Sequence, residues 1–308
     1  MKIIYNENFN FDLGLLKHLH PFEGMRFRKI YDRLSQDNGI EFLSPEEPVS
    51  DEIISEFLSE VMLQLVKNRN GVLKALEFPR LPFITQAYLE RKVLSPMRWG
   101  VAGTLFGAEN ALQSGQNYWN LSGGYHHAMR NQMEGFCVYN DIGITYQQLL
   151  KSGQVTGDDR ILIIDTDAHH GNGTAHVFMD NPNVVLMDVY NASIYPTSEY
   201  TRDRVDIPMK LKPGTDGETY LECLKIALGE IQGDFRLAFV VAGTDVLSSD
   251  KLGGLKLTPD DVAKRERLTL SRLKELAIPA VITGGGGYSS DGVDATVKAV
   301  LKAKSEGL

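Results

Sequence analysis

Four of the seven histidines stand in two adjacent pairs, His126-His127 in SGGYHHA and His169-His170 in IIDTDAHHGNG. The second pair is joined to two aspartates, so Asp165, Asp167 and His169 fall at every second position. Side chains two apart on an extended chain leave on the same side. Asp167 and His169 can therefore aim a carboxylate and an imidazole at one point. Asp245, in AGTDVLSSD, arrives from a separate segment. Two carboxylates and an imidazole make a three-ligand metal site with an open fourth position. A divalent ion there lowers the pKa of a bound water towards about 7. Asp and His after a strand also serve as turn formers or helix caps, and Gly-Thr-Asp is common loop chemistry.

His126 and His127 follow Gly123 and Gly124, which permit a sharp turn or a close approach to a ligand. An imidazole beside an activated water is the usual general base, and it can return the proton to a leaving amine. Such a base is normally oriented through its other ring nitrogen. Asp165 and Asn172 flank the proposed ligands and could serve the two histidines. Away from a metal, a His-His pair is simply a packed or surface pair. Tyr288 ends TGGGGY. The glycines could cradle a phosphate, but no P-loop lysine follows and no dinucleotide-type spacing is evident. They read as a bare loop that lets Tyr288 reach a pocket and donate to an oxyanion. Taken alone, Tyr288 would be a packed aromatic. Together these parts suggest metal-assisted hydrolysis of an amide.

The elements that must position them form a recurring pattern. Strand-like apolar runs occur at Lys2–Tyr5, Tyr118–Leu121, Arg160–Ile164, Val184–Val189, Leu237–Ala242 and Pro279–Thr283. Helical periodicity spans Asp51–Val66, Thr219–Ile231 and Pro259–Leu276, the last with a good start in Thr258-Pro259-Asp260-Asp261. Strands alternating with helices predict a doubly wound α/β sheet. The polar clusters WNLSGGYHH, DTDAHH, GTD and GGGGY each follow a predicted strand, at the edge where open α/β sheets bind ligands. With 308 residues, 43% hydrophobic, and no linker or repeat, a single domain spanning 1–308 is expected.

Composition excludes several classes. A net charge of −8 argues against a nucleic-acid surface. Two cysteines, Cys137 and Cys223, can build neither a disulfide framework nor a Cys-rich zinc site, and they suggest a reducing, cytoplasmic setting. Cys137 reads as a small buried residue, not a nucleophile, since no activating base adjoins it in sequence. The N-terminal MKIIYNENFN lacks the apolar core of a signal peptide. No run of about 18 apolar residues predicts a membrane span.

GGYHHA, GFCVYNDI, DTDAHHGNG, AGTDVLSSDKLGGL and GGGGY, in this order, resemble the histone deacetylase family of the arginase/deacetylase superfamily. HPFE near Pro21, ERKVLSPMR at Glu90–Arg98, MDVYNASIYP at Met187–Pro196 and LGGLKLTPDDVAKRERL at Leu252–Leu268 resemble its class IV branch, the histone deacetylase 11 type. The resemblance covers nearly the whole chain. It implies the arginase/deacetylase fold, a three-layer α/β/α architecture with an eight-stranded, mainly parallel sheet, and zinc-dependent lysine deacylation. By the same resemblance Asp167, His169 and Asp245 match the zinc ligands, and His126, His127 and Tyr288 the catalytic residues. Gly135, Phe136 and Tyr195 match the walls of the acyl-lysine tunnel. A structural potassium ion is implied at Asp165, Asp167, His169, Asp188 and Val189, although Asp188 stands where many relatives carry serine. His170 is expected in a supporting or packing role.

Asn172 stands where class I relatives carry aspartate. An amide orients His127 without adding negative charge, so His127 should be less readily protonated than with an aspartate partner. The implied substrate is an acyl-lysine peptide or protein, with acetyl or a longer acyl group. Iron(II) suits the ligands as well as zinc. Acylated polyamines are a rival substrate, though no acidic substrate-gripping insertion is recognisable. A binuclear manganese hydrolase is disfavoured because a second carboxylate cluster is missing. An acyl-lysine-binding module without catalysis is disfavoured by the intact set of six site residues. Oligomeric state is not legible.

Overall fold

The computed structural model describes residues 1–14, 21–79 and 81–308. Eight strands form one sheet: β1 (Lys2–Ile4), β2 (Glu41–Leu43), β3 (Tyr118–Asn120), β4 (Ile161–Asp165), β5 (Val184–Asn191), β6 (Ile207–Leu211), β7 (Leu237–Val241) and β8 (Ala280–Thr283). Their spatial order is β2-β1-β3-β8-β7-β4-β5-β6, and every pairing is parallel. β4 and β7 are buried at every position, as strands covered on both faces must be. Helices Arg26–Leu34, Gly217–Glu230, Pro259–Glu275 and Asp291–Ser305 pack together as one covering layer. Helices Asp51–Phe57, Ser95–Ser114 and Asp141–Lys151 pack together as the other. The result is the three-layer α/β/α architecture that the resemblance implies.

The strands that carry the polar clusters are β3, β4, β7 and β8, and the sheet order makes them the four consecutive neighbours β3-β8-β7-β4. Chain segments far apart in sequence therefore leave the sheet side by side at one edge. β2 and β6 carry no apolar run and are absent from the sequence-based expectation. Both are edge strands, β2 only half-buried and β6 buried mainly at its ends, with Pro208 tolerated because an edge strand needs fewer ladder donors.

The helical periodicity over Asp51–Val66 resolves into two helices, Asp51–Phe57 and Glu60–Val66. Ser59 lies between them in extended backbone, and its side chain accepts the Met62 N–H, starting a new helix within the same apolar stripe. Thr258 begins Pro259–Glu275 with a reciprocal capping box to Asp261, as its sequence suggests. Among the described residues no helix is long and apolar enough to cross a membrane.

Candidate active site

β4 ends at Asp165 and the chain beyond it turns Asp167 and His169 inward; β7 delivers Asp245 four residues past its end. One ligand atom from each of Asp167, His169 and Asp245 lies within 4.8 Å of the others. His169 Nδ1 is 2.7 Å from Asp245 Oδ2 and 3.1 Å from Asp167 Oδ1. Backbone amides hold the carboxylates: Gly286 N–H donates to Asp167 Oδ2 at 2.7 Å, and Ala168 N–H to Asp245 Oδ1 at 2.9 Å. Such support fixes ligand direction. A β-carbon on Gly286 would lie 2.7 Å from both carboxylates, so the glycine loop after β8 is bare where it passes the cluster.

The donor set suits a cation. Burial, then the charge of Asp167, pushes Asp245 up to about 7. Burial disfavours a charged His169, yet its bonds to Asp167 and Asp245 outweigh this and raise it to about 11. Two fully buried carboxylates therefore draw positive charge to one point, and a divalent ion bound by two oxygens and a nitrogen meets that demand. Among the described residues no second cluster of potential metal ligands is present.

Beside the triad lie two histidine dyads. His126 Nδ1 is 2.7 Å from Asp165 Oδ2, and His127 Nδ1 is 2.7 Å from Asn172 Oδ1. The two rings are 4.1 Å apart, and His126 Nε2 is 3.8 Å from Asp167 Oδ1. Burial opposes a charge on His126, but Asp165 and Asp167 outweigh it and raise its pKa to about 9. Burial, followed by the positive charges of His126 and His169, holds His127 well below its ordinary value. The two partners that sequence spacing offered each serve one ring.

A pocket leads to these imidazoles. Phe136 packs edge-on to Tyr288 with ring centres 5.7 Å apart, and Tyr195 lies 5.4 Å from His127. Gly135 takes a left-handed φ of +55°, and a β-carbon there would strike His127 Cδ2, so glycine lets this turn pack against the His127 ring. Burial, then Asp245 and Asp167, raises the Tyr288 phenol well above its usual range, which keeps it a donor. Its backbone N–H is tied to Asp250 at 2.7 Å. The pocket that His126, His127, Phe136 and Tyr288 line is largely apolar, with Phe11, Leu13, Phe22, Phe27 and Met97 in its walls beside the buried Arg26. Cys137 is buried, and burial pushes its thiol up, as suits an inert side chain.

His170 bonds Asp188 at 2.6 Å and Thr201 at 3.0 Å from its two ring nitrogens, so it braces the β5 side. Of the resemblance segment HPFE, His20 lies outside the described residues. Three side chains drew no notice in the sequence. Arg26 is buried with its guanidinium on the Gly285 and Gly287 carbonyls and against Phe22 and Phe27, fixing the glycine loop from below. Asp250 anchors Tyr288, and Glu134 accepts from Asn172 Nδ2 at 2.5 Å. Their partners are distant in sequence, and only the SSDKLGG context of Asp250 hinted at any of them.

Residues 20–304 match the histone deacetylase domain, and the chain belongs to that family. It is 30% identical to histone deacetylase 2 of Arabidopsis thaliana over all of this chain and 80% of that protein. It is 29% identical to the acetoin utilization protein AcuC of Staphylococcus aureus, over 88% of this chain and 73% of that one. The crystal structure of the HDA15 HD domain superposes with a TM-score of 0.75, covering 99% of this chain and 90% of that one at 19% identity, a likeness of fold. A family domain together with a triad of two buried carboxylates and a half-buried imidazole that can hold a metal ion makes the chain an enzyme of hydrolase type.

Proposed function

We propose that the protein hydrolyses the amide between an acyl group and the ε-amine of lysine in a peptide or protein, using zinc, or iron(II), on Asp167, His169 and Asp245. The observation that carries this reading is that the triad lies beside two buried, differently partnered imidazoles that line one largely apolar pocket. Bound at the triad, the ion supplies Lewis acidity towards the acyl carbonyl and towards water. His127, with Nδ1 bonded to Asn172, accepts a proton from the attacking water and returns one to the departing lysine amine. His126 keeps its proton beside Asp165 and offers positive charge to the same space. Tyr288 donates its O–H to the oxyanion that forms as water adds to the carbonyl, which places stabilisation where charge develops. Gly135, Phe136 and Tyr195 wall the lysine stem.

The largely apolar pocket that Tyr288 lines favours an acyl chain longer than acetyl, each buried methylene contributing about 0.8 kcal/mol. That preference accords with a place in the class IV branch. Asp188 Oδ1 is buried without a hydrogen-bond partner, and β4–β5 register sets Asp188 opposite Asp165. This supports a structural potassium ion among Asp165, Asp167, His169, Asp188 and Val189. Cys137 and Cys223 are both unpaired, in keeping with a reducing, cytoplasmic setting.

The test is a panel of acyl-lysine peptides from acetyl to myristoyl, set against acylated polyamines, with metal content measured in parallel. The expected result is one bound divalent ion and kcat/KM rising with chain length. Preference for the polyamines, or binding of acyl-lysine without turnover by the metal-loaded protein, would overturn the reading.

A further inference from the structure

Glu134 lies at the end of a chain of bonds that starts on the proposed base. His127 Nδ1 meets Asn172 Oδ1 at 2.7 Å, and Asn172 Nδ2 donates to Glu134 Oε1 at 2.5 Å. The second oxygen of Glu134 accepts from Gln132 Nε2, so the carboxylate is held from both sides. Its backbone is fixed as well. Glu134 opens a tight turn in which its carbonyl accepts the Cys137 N–H at 2.9 Å, and Phe136 N–H is tied to the Ala75 carbonyl at 3.0 Å. This is the turn whose Gly135 packs on the His127 ring.

A carboxylate has acceptors only, whereas an amide has one end of each kind. Facing Glu134, Asn172 must present its NH₂, and its oxygen is thereby turned to His127. An oxygen at 2.7 Å from Nδ1 demands a proton on that nitrogen. In a neutral imidazole the lone pair is then on Nε2. Without Glu134, the amide could turn over, offer NH₂ to Nδ1, and stabilise the opposite tautomer, in which Nε2 carries the proton and cannot accept one. Resting on the hydrolase reading above, we propose that Glu134 is a positioning residue that locks the Asn172 amide and, through it, the base-competent tautomer of His127. The negative charge that Asn172 lacks is thus supplied one hydrogen bond further out, by the half-buried Glu134 carboxylate.

The test uses the metal-loaded full chain and three variants. In ¹⁵N-histidine NMR at neutral pH, the wild type is expected to show His127 as the Nδ1–H tautomer. Glu134→Gln, which keeps the size but can face Asn172 with either end, is expected to show a mixture. In turnover of an acyl-lysine peptide, Glu134→Gln should lower kcat about tenfold with KM unchanged, the usual scale for a supporting bond to a site residue. Asn172→Asp sets two carboxylates against each other and should lose about 100-fold. Asn172→Asp combined with Glu134→Gln, where the glutamine amide donates to the new carboxylate, should return to within about tenfold of wild type. The inference fails if the double variant is no better than Asn172→Asp, if Glu134→Gln keeps a single Nδ1–H tautomer, or if only KM moves, which would mark Glu134 as a rim contact with substrate. The tautomer signal needs no turnover, so it judges this inference even if the peptide panel rejects the proposed reaction.

Discussion

The two histidine dyads share one geometry and have opposite electrostatics. Each Nδ1 sits 2.7 Å from an oxygen, each ring is buried, and the rings are neighbours. His126 faces a carboxylate and its pKa rises to about 9; His127 faces an amide and falls well below the ordinary value. Burial acts on both against the charged form, so the difference comes from the charges around them. Asp165 and Asp167 reward a proton on His126, and that proton repels one on His127. An ion on Asp167 removes that residue's share and leaves the share of Asp165. In the proposed reaction, adjacent residues of one type thus divide into a proton holder and a proton acceptor, the separation that acid–base chemistry requires.

The largest effect should come from deleting each ring in turn. His127→Ala removes the only group of the pair that is neutral at pH 7, and kcat for acyl-lysine hydrolysis should drop about 10³-fold, within the range general-base catalysis contributes. His126→Ala removes adjacent charge and not the acceptor, and about 10²-fold is expected. Single-turnover rates at pH 7 with matched metal content check both. Equal losses would mean that the two rings act as one unit and that the contrast is electrostatic only.

Much of this contrast is legible in the sequence and part of it is not. The alternation Asp165-x-Asp167-x-His169 pointed to both the candidate ligand pair and a dyad partner, although β4 ends at Asp165 and the chain then bends, the Asp167 and His169 amides each donating to the carboxylate two residues back. Glycines before His126 and before Tyr288 marked places where backbone must pass close to the site. Six strands announced themselves as apolar runs, while the edge strands β2 and β6 bury too little to leave a pattern. The break at Ser59 was hidden because the apolar stripe continues across it. Glu134 and Arg26 were invisible for another reason: each acts on a partner at least 38 residues away, and an isolated charged residue carries no periodicity.

Two glycines allow each dyad to be disturbed without touching its own side chains. A β-carbon on Gly135 would collide with His127 Cδ2 at a φ of +55° that alanine resists, whereas one on Gly171 would collide with Asp165 Oδ2. Gly135→Ala should displace the base and lower kcat about 10²-fold, the effect of roughly 1 Å of misplacement. Gly171→Ala should turn Asp165 away from His126 and cost about tenfold. Thermal melts accompany the rates, since Gly135→Ala carries backbone strain of about 1 kcal/mol. If Gly171→Ala proves the more damaging for turnover at equal stability, the ranking of the two rings is reversed.

The smallest effects are shifts of the pH profile, and they test the charges themselves. His127 must be neutral to accept a proton, so activity is lost as pH falls through its pKa, and its depressed value puts that limb below the usual imidazole range. Asn172→Asp favours the protonated ring and moves the limb to higher pH. The cleanest setting is the Glu134→Gln background, where the new carboxylate has a donor and no rival charge. A shift of about one unit, or 1.4 kcal/mol, is expected. His126 carries the opposite sign: Asp165 favours its protonated form, so its proton leaves on the alkaline side of the ordinary imidazole value. Asp165→Asn should therefore bring the alkaline limb of kcat/KM down, also by about one unit. An acid limb that Asn172→Asp leaves in place would remove His127 as the acceptor. An alkaline limb that Asp165→Asn leaves in place would mean that the proton on His126 serves the resting fold and not the reaction, leaving the asymmetry of the dyads without a catalytic consequence.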